Sequence, residues 1–291
     1  MIDRLLRLYP ADYRSAYGEE IADVHRELTA DLPRSARLRA DADLAAHALR
    51  VRLALDSASR GGRFFALAAP LALAVAAVGN GLVLTRWYKG LVTSPAPAWG
   101  QLAHTDATWG LHYLLALTVC VGAIVALCGR WVPGVVAVAC GLMGEAVQWV
   151  VAPQVTDAGF VTPVTALLAV AVVLACPVDR RPGKELSAVA GAVAGIGWFP
   201  VVVVEAGALG VTTDYGAWPV LVLAAAAVVL AWRRRSFGLR EVGAVTVAAL
   251  PLVAGAATWA SVDPWPFVGV LLVLLLTPAL TVGVQAARRR R

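Results

Sequence analysis

The chain has 291 residues, of which 59% are hydrophobic and 15% charged, with a formal net charge of +6 and a mean hydropathy of +0.72. An ordinary soluble domain is roughly 45–50% apolar and about 25% charged, so the composition excludes an ordinary soluble globular enzyme. The charge is concentrated: residues 1–63 hold 11 Lys/Arg and 10 Asp/Glu, leaving 14 basic and 9 acidic side chains for the rest of the chain. A polar head precedes an apolar body.

In the head, Tyr13, Tyr17, Ile21, Val24 and Leu28 follow 4-4-3-4 spacing, which predicts one apolar stripe on a helix starting near Pro10 and stopping before Pro33. Leu44, Ala48, Val51 and Leu55 form a second stripe. The two helices can pack as an antiparallel hairpin, with Leu5, Leu6 and Leu8 of an initial short helix closing one end. Arg60, Gly61, Gly62 and Arg63 are expected to form a flexible basic collar at the membrane surface. A helical prefix of this size buries little surface and is marginal alone, so it is expected to lean on the loops at Arg180–Lys184 and Arg233–Arg240 or on another protein. Its near-neutral balance argues against nucleic-acid binding.

The run from Leu6 through Tyr9, Pro10, Tyr13, Arg14, Tyr17 and Gly18 to Glu19 and Glu20 resembles the opening of a cytoplasmic prefix found on some bacterial permease-like proteins. It also resembles the opening of many small actinobacterial multi-pass membrane proteins, often encoded beside PadR-type transcriptional regulators. The likeness covers roughly the first 30 residues. It implies a partner-binding cytoplasmic prefix, with Tyr9, Tyr13, Tyr17, Glu19 and Glu20 as the residues that would carry recognition. The permeases' large extracytoplasmic domain has no counterpart here, so their transport-complex role does not carry over. A purely structural reading stands beside this one: the three tyrosines as core aromatics, Pro10 as a helix starter, Gly18 as a close-packing point, and the two glutamates solvated.

Eight stretches of the body are long and apolar enough to span a bilayer: Phe64–Thr85, Trp109–Gly129, Val132–Ala152, Phe160–Val178, Ser187–Leu209, Ala217–Trp232, Val242–Ser261 and Pro266–Ala287. Uninterrupted rather than alternating apolar runs select helices over a barrel. The expected fold is an all-α polytopic transmembrane bundle of eight spans, residues 64–287, preceded by the prefix 1–63 and followed by a basic tail 288–291. No secretory signal precedes the first span, which is expected to act as an internal anchor.

Orientation follows from the basic residues, which are retained on the cytoplasmic side. With both termini in the cytoplasm, the inner connections carry Arg130, then Arg180, Arg181 and Lys184, then Arg233, Arg234, Arg235 and Arg240, then Arg288 through Arg291. The opposite connections carry only Arg86 and Lys89, with one acid in each external loop: Asp106, Asp157, Asp214 and Asp263. Trp87, Trp99, Trp109, Trp149, Trp218, Trp259 and Trp265 fall near the outer boundary and Trp131 and Trp232 near the inner one, as interfacial anchors should. Only Trp198 sits mid-span. Such a chain belongs in a bacterial plasma membrane.

Ionisable side chains within spans are costly and are functional candidates by default. His112, Glu145 and Glu205 are the clear cases, joined by Asn80 and Gln148, and all five map to the outer half of the membrane. That shared depth permits one outward-facing polar cavity. Glu145, Gln148 and Trp149 share a helix face, and Glu145, if buried, is expected to pair with His112 or Arg86. Gly191, Gly195 and Gly197 allow close helix approach in the fifth span.

As an enzyme site this set is incomplete, because no protease, metal-cluster or phosphate-loop motif accompanies it. Cys120, Cys128, Cys140 and Cys176 all lie in apolar stretches with no metal-ligand spacing. No cofactor or metal is implied. The reading is an integral membrane protein in the lipid bilayer, an accessory or regulatory component whose residues 1–60 bind a cytoplasmic protein. The alternative is a small-solute or proton-coupled secondary transporter using Glu145 and Glu205. Oligomeric state is not readable from the chain.

Overall fold

The computed structural model describes residues 2–53, 55, 59–153, 160–177, 183–205, 217–233, 239–259 and 265–289. Every regular element among these residues is an α-helix. The chain divides into two compact units, Met1–Arg63 and Phe64–Arg291.

The first unit holds α1 (Ile2–Leu6), α2 (Ala11–Thr29) and α3 (Arg34–Arg52). Pro10 and Pro33 start the two longer helices: each has its φ fixed by the ring, and each carbonyl accepts the first helical bond, from Arg14 at 2.9 Å and from Arg37 at 3.0 Å. The face of α2 that is buried differs from the predicted stripe. Gly18, Ala22 and Thr29 are buried, whereas Tyr17, Val24 and Leu28 are 50%, 48% and 68% exposed. The contact to α3 is polar, through His25 Nε2 and Asp41 Oδ1 at 2.9 Å, so it draws in the small-residue face that lets the backbones approach. On α3 the buried side is the predicted one, with Ala48 fully buried and Leu44 and Val51 half-buried. Tyr9, 3% exposed, hydrogen-bonds through its hydroxyl to His47 Nδ1 at 2.8 Å and stacks on Tyr13, which in turn packs against Tyr17. Glu19 and Glu20 are exposed.

The expected collar is helical. α4 (Arg60–Thr93) takes in Arg60, Gly61, Gly62 and Arg63 and runs eight residues beyond the predicted end at Thr85. Ser59 explains its start: the Oγ accepts from Gly62 N at 2.8 Å and the carbonyl from Arg63 N at 3.3 Å, a side-chain cap that offsets the poor helix propensity of two glycines.

After α4 come a short helix absent from the sequence reading, α5 (Ala98–Ala103), then α6 (Ala107–Leu127), α7 (Trp131–Val151), α8 (Val161–Leu174), α9 (Lys184–Glu205), α10 (Ala217–Arg233), α11 (Leu239–Trp259) and α12 (Trp265–Arg289). Among the described residues, four helical segments are long and apolar enough to cross a membrane: Arg60–Thr93, Ala107–Leu127, Trp131–Val151 and Phe267–Val284. Val161–Leu174, Trp218–Trp232 and Val242–Thr258 are apolar but shorter. By length and composition this is a membrane protein. α8 stops four residues short of the predicted Val178, because Pro177 cannot continue a helix. The loops at 154–159, 178–182, 206–216, 234–238 and 260–264, which carry much of the predicted charge asymmetry, lie outside the described residues, as do residues 290–291 and the side chain of Glu205.

One continuous apolar core runs through the second unit, with Leu73, Val119, Val138, Leu223, Leu230, Val245 and Val270 all below 3% exposed. The outer faces are apolar too. Leu111, Leu114, Leu117, Val121 and Ile124 form an exposed stripe along α6, and Leu272, Leu275, Leu276 and Leu280 another on α12. Helices apolar all round, buried on one side and bare on the other, suit hydrocarbon rather than water.

The α6–α7 hairpin is the tightest packing. At the end of α6 the Gly129 N–H donates to Ala126 O and the Arg130 N–H to Val125 O, a Schellman turn that needs the positive φ of +100° that Gly129 supplies. The helices then run so close that a Cβ at Gly134 would overlap the Ala126 backbone, and one at Gly122 would lie 2.9 Å from the Gly134 carbonyl. Of the three glycines expected to allow close approach in the fifth predicted span, Gly197 does so, beside Val78; a Cβ at Gly191 or Gly195 would meet nothing within 4 Å. Trp198 has a partner for its polar edge, donating Nε1–H to Thr85 Oγ1 at 2.9 Å while its ring covers Gly81.

Candidate functional site

Five helices and a loop enclose a partly open cavity of about 960 Å³ in the second unit. α4 contributes one face at helical spacing, Asn80, Val83, Trp87 and Leu91, with Arg86 beside it, and Ser94 follows the helix end. Gln101 of α5 shapes the rim: its Nε2 donates to Leu91 O at 3.2 Å and Ala96 O at 2.8 Å, tying α5 to the end of α4. Asp106 caps α6, accepting from Thr108 N at 2.9 Å, which fixes the turn that presents Trp109, His112 and Tyr113 to the cavity. Glu145 comes from α7 and Thr162 from α8.

Three predicted polar residues, Asn80, His112 and Glu145, line this one cavity. Gln148 is buried behind them, its Nε2 donating to Thr108 O at 2.6 Å and so joining α7 to the first turn of α6. Glu205 ends α9, and its side chain is outside the description. No hydrogen bond or ion pair joins Glu145 to His112, so the expected pairing of these two is not made. His112 and Glu145 are each 8% exposed, and His112 Nδ1, Glu145 Oε1, Gln148 Oε1 and Trp149 Nε1 are all buried without a hydrogen-bond partner in the protein. Leaving one such atom unmet costs about 1–3 kcal/mol, and native structures carry few of them. Four such atoms, three within about one turn of α7 and one on α6, beside a cavity point to a site built for a bound group.

The aromatic wall was not apparent in the sequence. Trp87 stacks on Tyr113 with centroids 4.7 Å apart, and Trp109 lies 6.0 Å from Tyr113 and 6.1 Å from His112. Trp87 and Trp109 read as interfacial anchors, which also accounts for their position near a helix end. The available signal was the spacing of Asn80, Val83, Trp87 and Leu91 on one face of α4. Among the described residues no three His, Cys, Asp or Glu side chains gather as a metal site would require.

No protein-family model, no curated protein and no solved structure matches the chain.

Proposed function

We propose that this is a polytopic plasma-membrane protein of eight spans, with both termini in the cytoplasm, that binds a small polar solute in the α4–α8 cavity from the extracytoplasmic side. The observation that carries this reading is the pair Glu145 and His112: both 8% exposed, both on the cavity wall, both with a polar atom unmet by the protein. Buried polar groups are expensive, and a bound partner is the usual reason to keep them. The reading belongs with solute transport or solute sensing, and the intramembrane carboxyl is suited to either.

Thiol labelling tests it. In a chain with its four native cysteines replaced, Ser94→Cys or Thr105→Cys should react with a membrane-impermeant maleimide added outside intact cells, and a reporter fused after Arg291 should report cytoplasm. Labelling only in inverted vesicles, or an external signal from the reporter, overturns the topology and with it the outward cavity.

A second reading, an accessory or regulatory component whose prefix binds a cytoplasmic protein, is favoured by the bare apolar side chains of α2, where Tyr17, Val24 and Leu28 are about half or more exposed. It is compatible with the first: the body would bind the solute and the prefix the partner. The resemblance of residues 6–20 to permease-type prefixes and to actinobacterial membrane proteins supports this second reading.

A further inference from the structure

We propose that the cavity takes a small organic cation, an ammonium bearing an apolar or aromatic substituent, with its charge against Glu145 and its substituent against Trp87, Trp109 and Tyr113. This rests on the reading of the cavity as a ligand site and names the ligand class.

Among the four buried polar atoms without a partner at or behind the wall, acceptors of fixed role outnumber donors. Asn80 Nδ2 donates one N–H to Ala76 O at 3.1 Å and Gln148 Nε2 donates one to Thr108 O at 2.6 Å, so each amide keeps its oxygen and one further N–H. Of the four atoms without a partner, Glu145 Oε1 and Gln148 Oε1 accept, Trp149 Nε1 donates, and His112 Nδ1 does either according to its tautomer. A surplus of buried acceptors calls for a donor-rich ligand, and a carboxyl among them calls for a positive one. The aromatic side chains agree. Trp87, Tyr113 and Trp109 form a connected cluster with centroid separations of 4.7 and 6.0 Å on the cavity wall, and aromatic faces attract cations, most strongly where water is excluded. An anion would meet Glu145 across the same space. Arg86 and Asp106 also line the cavity and are opposite in sign, so the formal charges of the lining residues sum to that of Glu145.

The test uses the full chain in detergent micelles and three probes of similar size and shape: benzylamine, benzyl alcohol and benzoate. Binding is followed by calorimetry and by quenching of tryptophan fluorescence. Benzylamine should bind saturably, with benzyl alcohol and benzoate weaker by about tenfold or more, the worth of one desolvated charge contact. Its affinity should fall as the medium is acidified, because a proton competes with the cation for Glu145, and a protonated His112 on the same wall would repel it. Glu145→Gln should cost about tenfold or more and flatten that pH dependence, and Trp109→Leu should weaken benzylamine by about tenfold without flattening it. Benzoate or benzyl alcohol binding as tightly as benzylamine overturns the cation class while leaving a ligand cavity in place. Benzylamine binding unchanged by both substitutions does the same. Binding of none of the three probes overturns the proposal, and the thiol-labelling result then decides separately whether the outward cavity stands. The comparison among probes on the unsubstituted chain holds even if Glu145→Gln fails to fold.

Discussion

A polar side chain buried in an apolar bundle takes whatever backbone group it can reach, and Gln148 shows the consequence: its amide nitrogen is satisfied by Thr108 O while its oxygen is left over beside Glu145. Rarity made Asn80, His112, Glu145 and Gln148 legible in the sequence, since a polar residue in an apolar run stands out at once. Trp87, Tyr113 and Asp106 were not legible as site residues, because an aromatic or an acid at a span end already has an ordinary explanation at the interface. In the prefix, Tyr9 is the residue with the clearest chemical signature. Burial, with the neighbouring Tyr13, pushes its phenol above the ordinary value of about 10. The folded prefix therefore holds this proton more tightly than the unfolded chain does, so the associated stability is fully present below about pH 10 and is lost as pH rises through the folded-state value. Tyr9→Phe should remove that alkaline loss and, by deleting the bond to His47, lower stability at neutral pH by about 1 kcal/mol. Hydrogen exchange of α1–α3 in the full chain across alkaline pH measures both.

At the level of elements, apolar runs predicted helices and helices are what form, because a backbone in hydrocarbon must satisfy its own hydrogen bonds. What composition could not say is which helices touch. The α6–α7 contact depends on Gly134 lying against Ala126, a relation between residues on two elements with no local signature. Gly134→Ala should destabilise the protein by about 2 kcal/mol or more through overpacking against backbone, which cannot move aside as a side chain can. Gly110→Ala is the control: it sits in α6 with nothing within 4 Å of an added Cβ, and should be neutral or gain about 0.5–1 kcal/mol of helix propensity. Melting temperatures in detergent separate the two, and a Gly134→Ala variant as stable as Gly110→Ala would refute the close packing. The same limit explains α2, where periodicity picked out the apolar stripe and packing used the small-residue face. Amphipathic spacing records which side is greasy, whereas the side that is buried depends on what the neighbouring helix offers.

For the whole molecule, the division into a polar unit of 63 residues and an apolar remainder is a statement about solvent, and the two parts should be separable on that ground. Deleting residues 1–60 should leave the body inserted in the membrane and, if the proposed accessory role holds, abolish association with a cytoplasmic protein. Proximity labelling with and without the prefix checks it; identical neighbours in both chains would remove the accessory reading. What the sequence determined by itself was class and environment: all-helical structure, a membrane location and a short set of suspect polar residues. These follow from composition and apolar run length, which act residue by residue. Only the tertiary structure decided that Asn80, His112 and Glu145 share one cavity, that Trp87, Tyr113 and Trp109 form an aromatic cluster on its wall, and that Glu145 and His112 leave polar atoms unmatched. Those are distances between helices far apart in the chain, set by the packing of small residues and by single hydrogen bonds such as Gln148 to Thr108, and no periodicity within one helix encodes them.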